Sequence, residues 1–184
     1  MAKPFVIGIA GGSASGKSTF CERLKTALME RGTVLTFHMD YYFKPESMRP
    51  YVKAPITEKM YIDDNHPETI DLAQMKLDLS AAISEGQANV IIVEGLLVLH
   101  DNDICKQLDL KLYVECRADE RIVRRLKRNM EWGQSFDEIT DVYLDMVRYR
   151  HDEYVEASKW KADLILNGSS FFEKALGIIA DAVQ

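Results

Sequence analysis

The sequence predicts an α/β fold, a parallel β-sheet with helices on both faces. Three observations point there. Short apolar runs that do not alternate with polar residues recur along the chain, as strands covered on both faces do. Between them, apolar residues return at helical spacing. Where the first run should hand over to a helix lies a crowd of glycines, "GIAGGSASGKST" over residues 8–19.

In chain order, the strand candidates are Phe5–Ala10, Val34–Met39, Val90–Val93, Leu110–Val114 and Leu164–Leu166. The helix candidates follow from Leu72, Met75, Leu79 and Ile83, then Ile122, Leu126 and Met130. Ile139, Val142, Tyr143 and Met146 continue the pattern, and Phe172, Leu176 and Ile179 close it. Strand–helix alternation of this kind gives a parallel sheet whose ligands sit at the carboxyl ends of its strands. Residues 40–70, with Pro45, Pro50, Pro55 and Pro67, show no clear period. A stretch of that length is expected to be functional or mobile.

At 184 residues the chain reads as a single domain, 1–184, long enough to bury a core. Apolar residues make up 47% and charged residues 28%, a soluble composition, and no apolar run is long enough to span a bilayer. No signal-peptide pattern opens the sequence. Cys21, Cys105 and Cys116 form no CxxC pair and read as thiols of a reducing cytoplasm. A net charge of −6 argues against nucleic acid as a partner, while leaving room for a small charged ligand in a basic pocket. No His, Cys and carboxylate spacing suggests zinc.

Residues 11–18 match G-x-x-x-x-G-K-[ST] in the strand–loop–helix context that this motif requires. Gly11, Gly12, Ser13, Ala14, Ser15 and Gly16 are expected to turn their N–H groups inward, with the helix start adding its positive end. Lys17 would reach the β- and γ-phosphates, the Ser18 hydroxyl would bind Mg²⁺, and Thr19 completes the loop. A nucleoside triphosphate is therefore what the glycines let approach. Two acids stand at strand ends beside this loop. Asp40 ends "VLTFHMD" and Glu94 ends "VIIVE". Carboxylates there can accept a proton from an attacking hydroxyl or hold Mg²⁺.

The segments "GIAGGSASGKST", "HMDYYFKP", "NHPETID", "VIIVEGLLVL" and "LKLYVECRADERIVRRLKRN" occur in the order found in uridine kinases. The similarity runs over nearly the whole chain, through the late "KWKADLILNGS". The chain thus resembles the uridine kinase, nicotinamide riboside kinase and phosphoribulokinase family. That resemblance implies a P-loop kinase fold with a five-stranded parallel sheet, ATP with Mg²⁺ as phosphoryl donor, and a small-molecule acceptor bearing a hydroxyl. It further implies Asp40 as general base, Tyr42 and Phe43 as lining of an acceptor segment at about 40–70, and Glu94 as a Mg²⁺ residue. The arginines before a lid at about 128–136 would contact the donor phosphates, matching Arg124, Arg125 or Arg128.

Three departures from the family bear on the acceptor. "AAISEGQANVIIVEG" has no room for the β-hairpin that helps uridine kinases hold the base. Asn65 stands where the family usually has an aspartate before "HP", with Asp63 and Asp64 adjacent. The lid reads "EWGQ", so Trp132 and Gln134 replace arginines. Nicotinamide riboside or another hydroxyl compound therefore rivals a nucleoside as acceptor.

Among the remaining candidates, Arg124 and Arg128 are four apart and share a helix face, which favours them for phosphate contact. Arg148 and Arg150 face different sides of their helix, and Arg148 is placed in the acceptor site. His66 is placed beside the acceptor, while His38 and His151 read as structural. A GTPase switch is excluded by the absence of DxxG and NKxD. A non-catalytic nucleotide-binding regulator stays open as an alternative, and so does homo-oligomer formation.

Overall fold

In a computed structural model that describes residues 3–170 and 172–183, strand β1 (Phe5–Gly11) occupies the centre of a five-stranded parallel sheet. Its partners are β5 (Val90–Glu94) on one side and β6 (Leu110–Glu115) on the other. Strand β2 (Val34–His38) flanks β5, and β7 (Leu164–Asn167) flanks β6, giving the order β2-β5-β1-β6-β7. All five predicted strands are present, each within a residue of its expected ends.

Alternation along the strands divides the core in two. Val6 and Ala10 of β1, Ile91 and Val93 of β5, and Tyr113 of β6 face one layer. That layer is closed by Met75 and Leu79 of α2 (Leu72–Glu85) and by Ile104 of α3 (Asn102–Cys105). Ile7 and Ile9, Val90 and Ile92, and Leu112 and Val114 face the other. There Phe20, Leu24 and Leu28 of α1 (Lys17–Met29) meet Leu176 and Ile179 from near the C-terminus. Because both faces are covered, the strands need no polar side and read as continuous apolar runs. Helix ends are set locally. Asp71 caps α2 by accepting the Gln74 N–H at 3.0 Å, and Gly86 ends it in the left-handed region.

The long irregular segment 40–70 is ordered by a small antiparallel hairpin, β3 (Tyr51–Lys53) with β4 (Met60–Ile62). Strands of three residues carry too little alternation to be visible in sequence. Helix α4 (Ala118–Glu131) also departs from its apolar pattern. Met130 is half exposed, whereas Arg121 and Asn129 are buried, because this helix turns a polar face towards the strand ends. A continuous helical arm follows. It comprises α5 (Phe136–Val142), a π-turn (Tyr143–Val147), α6 (Arg148–Arg150) and a second π-turn (His151–Val155). Helix α7 (Glu173–Ala182) ends the fold.

Candidate active site

The glycine-rich loop links β1 to α1 at the carboxyl edge of the sheet. Gly11 and Gly16 take φ of 153° and 98°, and Ala14 adopts 63°. A side chain at Gly12 would meet Arg121 Nη1 at 2.6 Å, so this glycine serves packing beneath the loop as well as ligand approach. The Ser15 hydroxyl is buried in the loop without a partner. A cavity of about 460 Å³ opens above, lined by Ala14, Gly16, Lys17, Ser18, Thr19, Arg124 and Arg128.

Sheet register brings Glu94 to this loop. It lies beside Ile9 of β1 and beside His38 of β2, so one carboxylate neighbours both strand ends. Glu94 Oε1 accepts the Ser18 hydroxyl at 3.0 Å and lies 3.4 Å from Lys17 Nζ. Oε2 lies 3.0 Å from His38 Nδ1. Burial alone would raise the Glu94 pKa, but Lys17 and the hydrogen bonds from His38 and Ser18 outweigh it and hold the group below its ordinary value. Ser18 and Glu94 together offer hard oxygen donors, which suit Mg²⁺. Among the described residues no group of three or more His, Cys, Asp or Glu could hold a metal ion.

Asp40 follows β2 in a short 3₁₀ turn (Met39–Tyr42) and is exposed. Arginines of α4 approach the loop, and Arg124 and Arg128 line the cavity. Arg125 Nη1 and Arg128 Nη2 each donate to Ser13 Oγ at 3.3 Å. Arg128 stacks on Trp132, its Cζ 4.8 Å from the ring centroid, and Asn129 donates to Gln134 Oε1 at 2.7 Å. Arg124 instead bonds the Gly168 carbonyl and pairs with Glu120. Burial and then Arg128 lower the Arg125 pKa; burial lowers that of Arg128, with Asp40 opposing. Neither makes an ion pair among the described residues, so a bound anion would relieve both. Sequence spacing favoured Arg124 and Arg128; Arg125 was the one passed over, because its reach past the loop is a tertiary fact.

A second cavity, of about 410 Å³, is bordered by Arg125. It is lined by Tyr61 and Ile62 of the hairpin, Asn65, Trp132, Ile139 and Met146. Asp145 clamps the hairpin to the helical arm, accepting the Thr57 hydroxyl at 2.6 Å and the Tyr61 hydroxyl at 2.8 Å. Arg150 donates to Asp63 at 2.6 Å, and Asp63 is fully buried.

A model of the phosphoribulokinase/uridine kinase family matches residues 73–171. A uridine kinase of Bacillus thuringiensis (strain Al Hakam) is 33% identical, over 89% of this chain and 85% of its own. One from Lactobacillus helveticus (strain DPC 4571) is 29% identical, over 99% of this chain and 95% of its own. The chain belongs to the phosphoribulokinase/uridine kinase family. It is a phosphotransferase that acts on a hydroxyl group of a small molecule and uses a nucleotide. The fold agrees. A provisional fructose transport system kinase from Silicibacter sp. TM1040 superposes with a TM-score of 0.67 at 20% identity, covering 90% of each chain. No helix among the described residues is long and apolar enough to cross a membrane.

Against the family pattern, α2 passes to β5 through residues 86–89 alone, so the base-binding hairpin of uridine kinases is absent from that position. Three expected acceptor contacts are engaged elsewhere. Tyr42 donates to Asp78 of α2 at 2.9 Å, because its ring packs on the core layer beneath that helix. His66 Nδ1 accepts the Glu68 N–H at 3.1 Å and caps the turn before Pro67, the local alternative that a residue in this position always has. Arg148 bonds the Leu144 carbonyl one turn back and stacks on Tyr149. Arg150, on the other side of the arm, makes the link to the acceptor segment instead. Phe43 lies under the Arg49 guanidinium, 4.9 Å from its ring centroid, and Arg49 in turn holds Asp64. Asp63 is engaged by Arg150, whereas Asp64, paired with Arg49, still lines the second cavity. Asn65 remains at the cavity.

Proposed function

We propose that this chain is an ATP- and Mg²⁺-dependent nucleoside kinase of the uridine kinase type, transferring the γ-phosphoryl group to a hydroxyl. The observation that carries the reading is the single hydrogen-bonded cluster of Lys17, Ser18 and Glu94, with Asp40 at the neighbouring strand end. Lys17, the loop amides and Arg124, Arg125 and Arg128 hold the donor phosphates. Ser18 and Glu94 hold Mg²⁺, which when bound neutralises charge on the phosphate oxygens. Asp40 accepts the proton of the attacking hydroxyl, and its exposure leaves room for the acceptor. Asn65 and Phe43 face the acceptor, within segment 40–70, and the lid spans 128–136 of one domain, 1–184. The lid lacks the family's arginines, and α4 supplies the charge in their place, with Trp132 seating Arg128 over Ser13. We place the protein in the cytoplasm, acting on a small molecule without nucleic acid or membrane.

The short link at 86–89 favours a second reading, a kinase of another small hydroxyl compound such as nicotinamide riboside. A coupled assay of purified protein against nucleosides, ribosyl compounds, pantothenate and sugar phosphates separates the two. On the nucleoside reading, uridine and cytidine both turn over and differ little, because few polar groups reach a base edge. Turnover of nicotinamide riboside or another compound with neither uridine nor cytidine accepted would overturn it.

A further inference from the structure

Most buried titratable groups near the phosphate loop have an assigned task, but His38 does not. It ends β2 two residues before Asp40, with its side chain about one-fifth exposed. The ring is wedged between two carboxylates. Nδ1 lies 3.0 Å from Glu94 Oε2, and Nε2 lies 3.6 Å from Glu22 Oε1 on α1. Tyr41 packs edge-on against it, centroids 5.3 Å apart. An ionised carboxylate only accepts hydrogen bonds, so the proton of this contact sits on Nδ1.

The three partners of Glu94 differ in what a ligand would do to them. Ser18 and Lys17 both attach to Oε1, and both are groups that a metal–phosphate complex claims for itself. His38 holds the other oxygen, from a neighbouring strand in fixed register, and faces away from the phosphate loop towards α1. Once Ser18 and Lys17 turn to their ligands, His38 alone of the three still fixes the carboxylate. We infer that His38 is a positioning residue for Glu94, holding its carboxylate in the orientation that receives the divalent cation. The inference rests on the phosphate-loop kinase reading above. Partners of this type, behind a metal ligand, are worth about 10–100-fold in metal affinity.

The test is binding, not turnover. Affinity for ADP is measured by calorimetry on the whole protein, in EDTA and in excess Mg²⁺, and the ratio of the two gives the metal-linked gain. Asparagine places an amide N–H near the position of Nδ1, whereas glutamine carries it outward to that of Nε2. We expect His38→Asn to keep most of the gain, and His38→Gln and His38→Ala to lose about tenfold of it or more. Affinity in EDTA should stay within about twofold for all three, since the loop amides are untouched. Equal gains in the Asn and Gln variants, or an unchanged gain in His38→Ala, would overturn the inference. The Asn–Gln contrast decides even if the alanine variant fails to fold. Wild-type protein that binds no ADP at all would instead overturn the kinase reading on which this one stands.

Discussion

The proposed donor half of the site is held by one loop and the strand beside it, whereas the proposed acceptor half joins two stretches of chain, the hairpin with Asn65 and the end of α4 with the arm that follows it. On the donor side, Lys17 and Ser18 are consecutive, and Glu94 reaches them from the strand adjacent to β1. On the acceptor side, the hairpin and Asn65 lie in one stretch of chain, and side chains tie that stretch to the helical arm that follows α4. Asp145 to Thr57 and Tyr61, Arg150 to Asp63, and Lys59 to Asp141 make those joins. On the reading proposed above, one loop and its strand set the phosphate position, and replaceable side-chain pairs set that of the acceptor.

The largest expected break falls on the donor side. Lys17→Ala removes the charge that follows the phosphates into the transition state, and phosphoryl transfer should drop by about 10³-fold or more in a coupled assay. Asp40→Asn comes next. It preserves size but cannot take the proton, so kcat should fall roughly 10²–10⁴-fold while ATP affinity stays near wild type. If ATP binding is lost with it, Asp40 belongs to the donor half and the division drawn above is misplaced.

Acceptor-side changes should be milder for chemistry and visible in structure. Arg150→Ala strands the buried Asp63 carboxylate, which should destabilise the fold by about 3 kcal/mol in denaturant titrations. Nucleotide affinity measured below the transition should barely move. Asp145→Ala frees the hairpin, so acceptor KM should rise severalfold with little change in nucleotide affinity. The hydrogen bonds from Thr57 and then Tyr61 hold the Asp145 carboxyl below its ordinary value. A depressed folded-state pKa means that the clamp is fully present above the unfolded aspartate value near 4 and is lost as pH falls through the lower folded one. Amide protection over residues 51–62, taken as exchange relative to the intrinsic rate at each pH, should therefore hold at pH 5 and fall only below about pH 4.

The sequence exposed the donor half almost completely, for a physical reason. Its residues are contiguous, or end apolar strands, and both signals survive in one dimension. Glu94 is visible because "VIIVE" announces a buried strand and its last residue. The acceptor half was legible only as an irregular segment. A three-residue strand has no period, and an ion pair such as Asp63–Arg150 joins residues far apart in the chain. Tyr42 and His66 have partners within the fold, Asp78 from 36 residues away on α2 and the Glu68 amide two residues on, and only the second is readable in sequence. His38 reads as structural in the sequence because a lone histidine on a strand usually packs, and only the register with β5 shows what it packs against.

The central position of β1 also shapes how the chain comes to be folded as it is made. Phe5 pairs with Val90, about 85 residues later, and the other edge of β1 pairs with β6 later still. At a synthesis rate of roughly 5–20 residues per second, the first strand has no neighbour for about 4–17 s. Throughout that interval "FVIGIAG" is an apolar segment with both backbone edges unpaired. Its three neighbours in chain order, α1, β2 and the hairpin, can form early but cannot shelter those edges, since β2 joins the sheet only through β5. The strand that carries the phosphate loop is thus among the first made and waits longest for its partners.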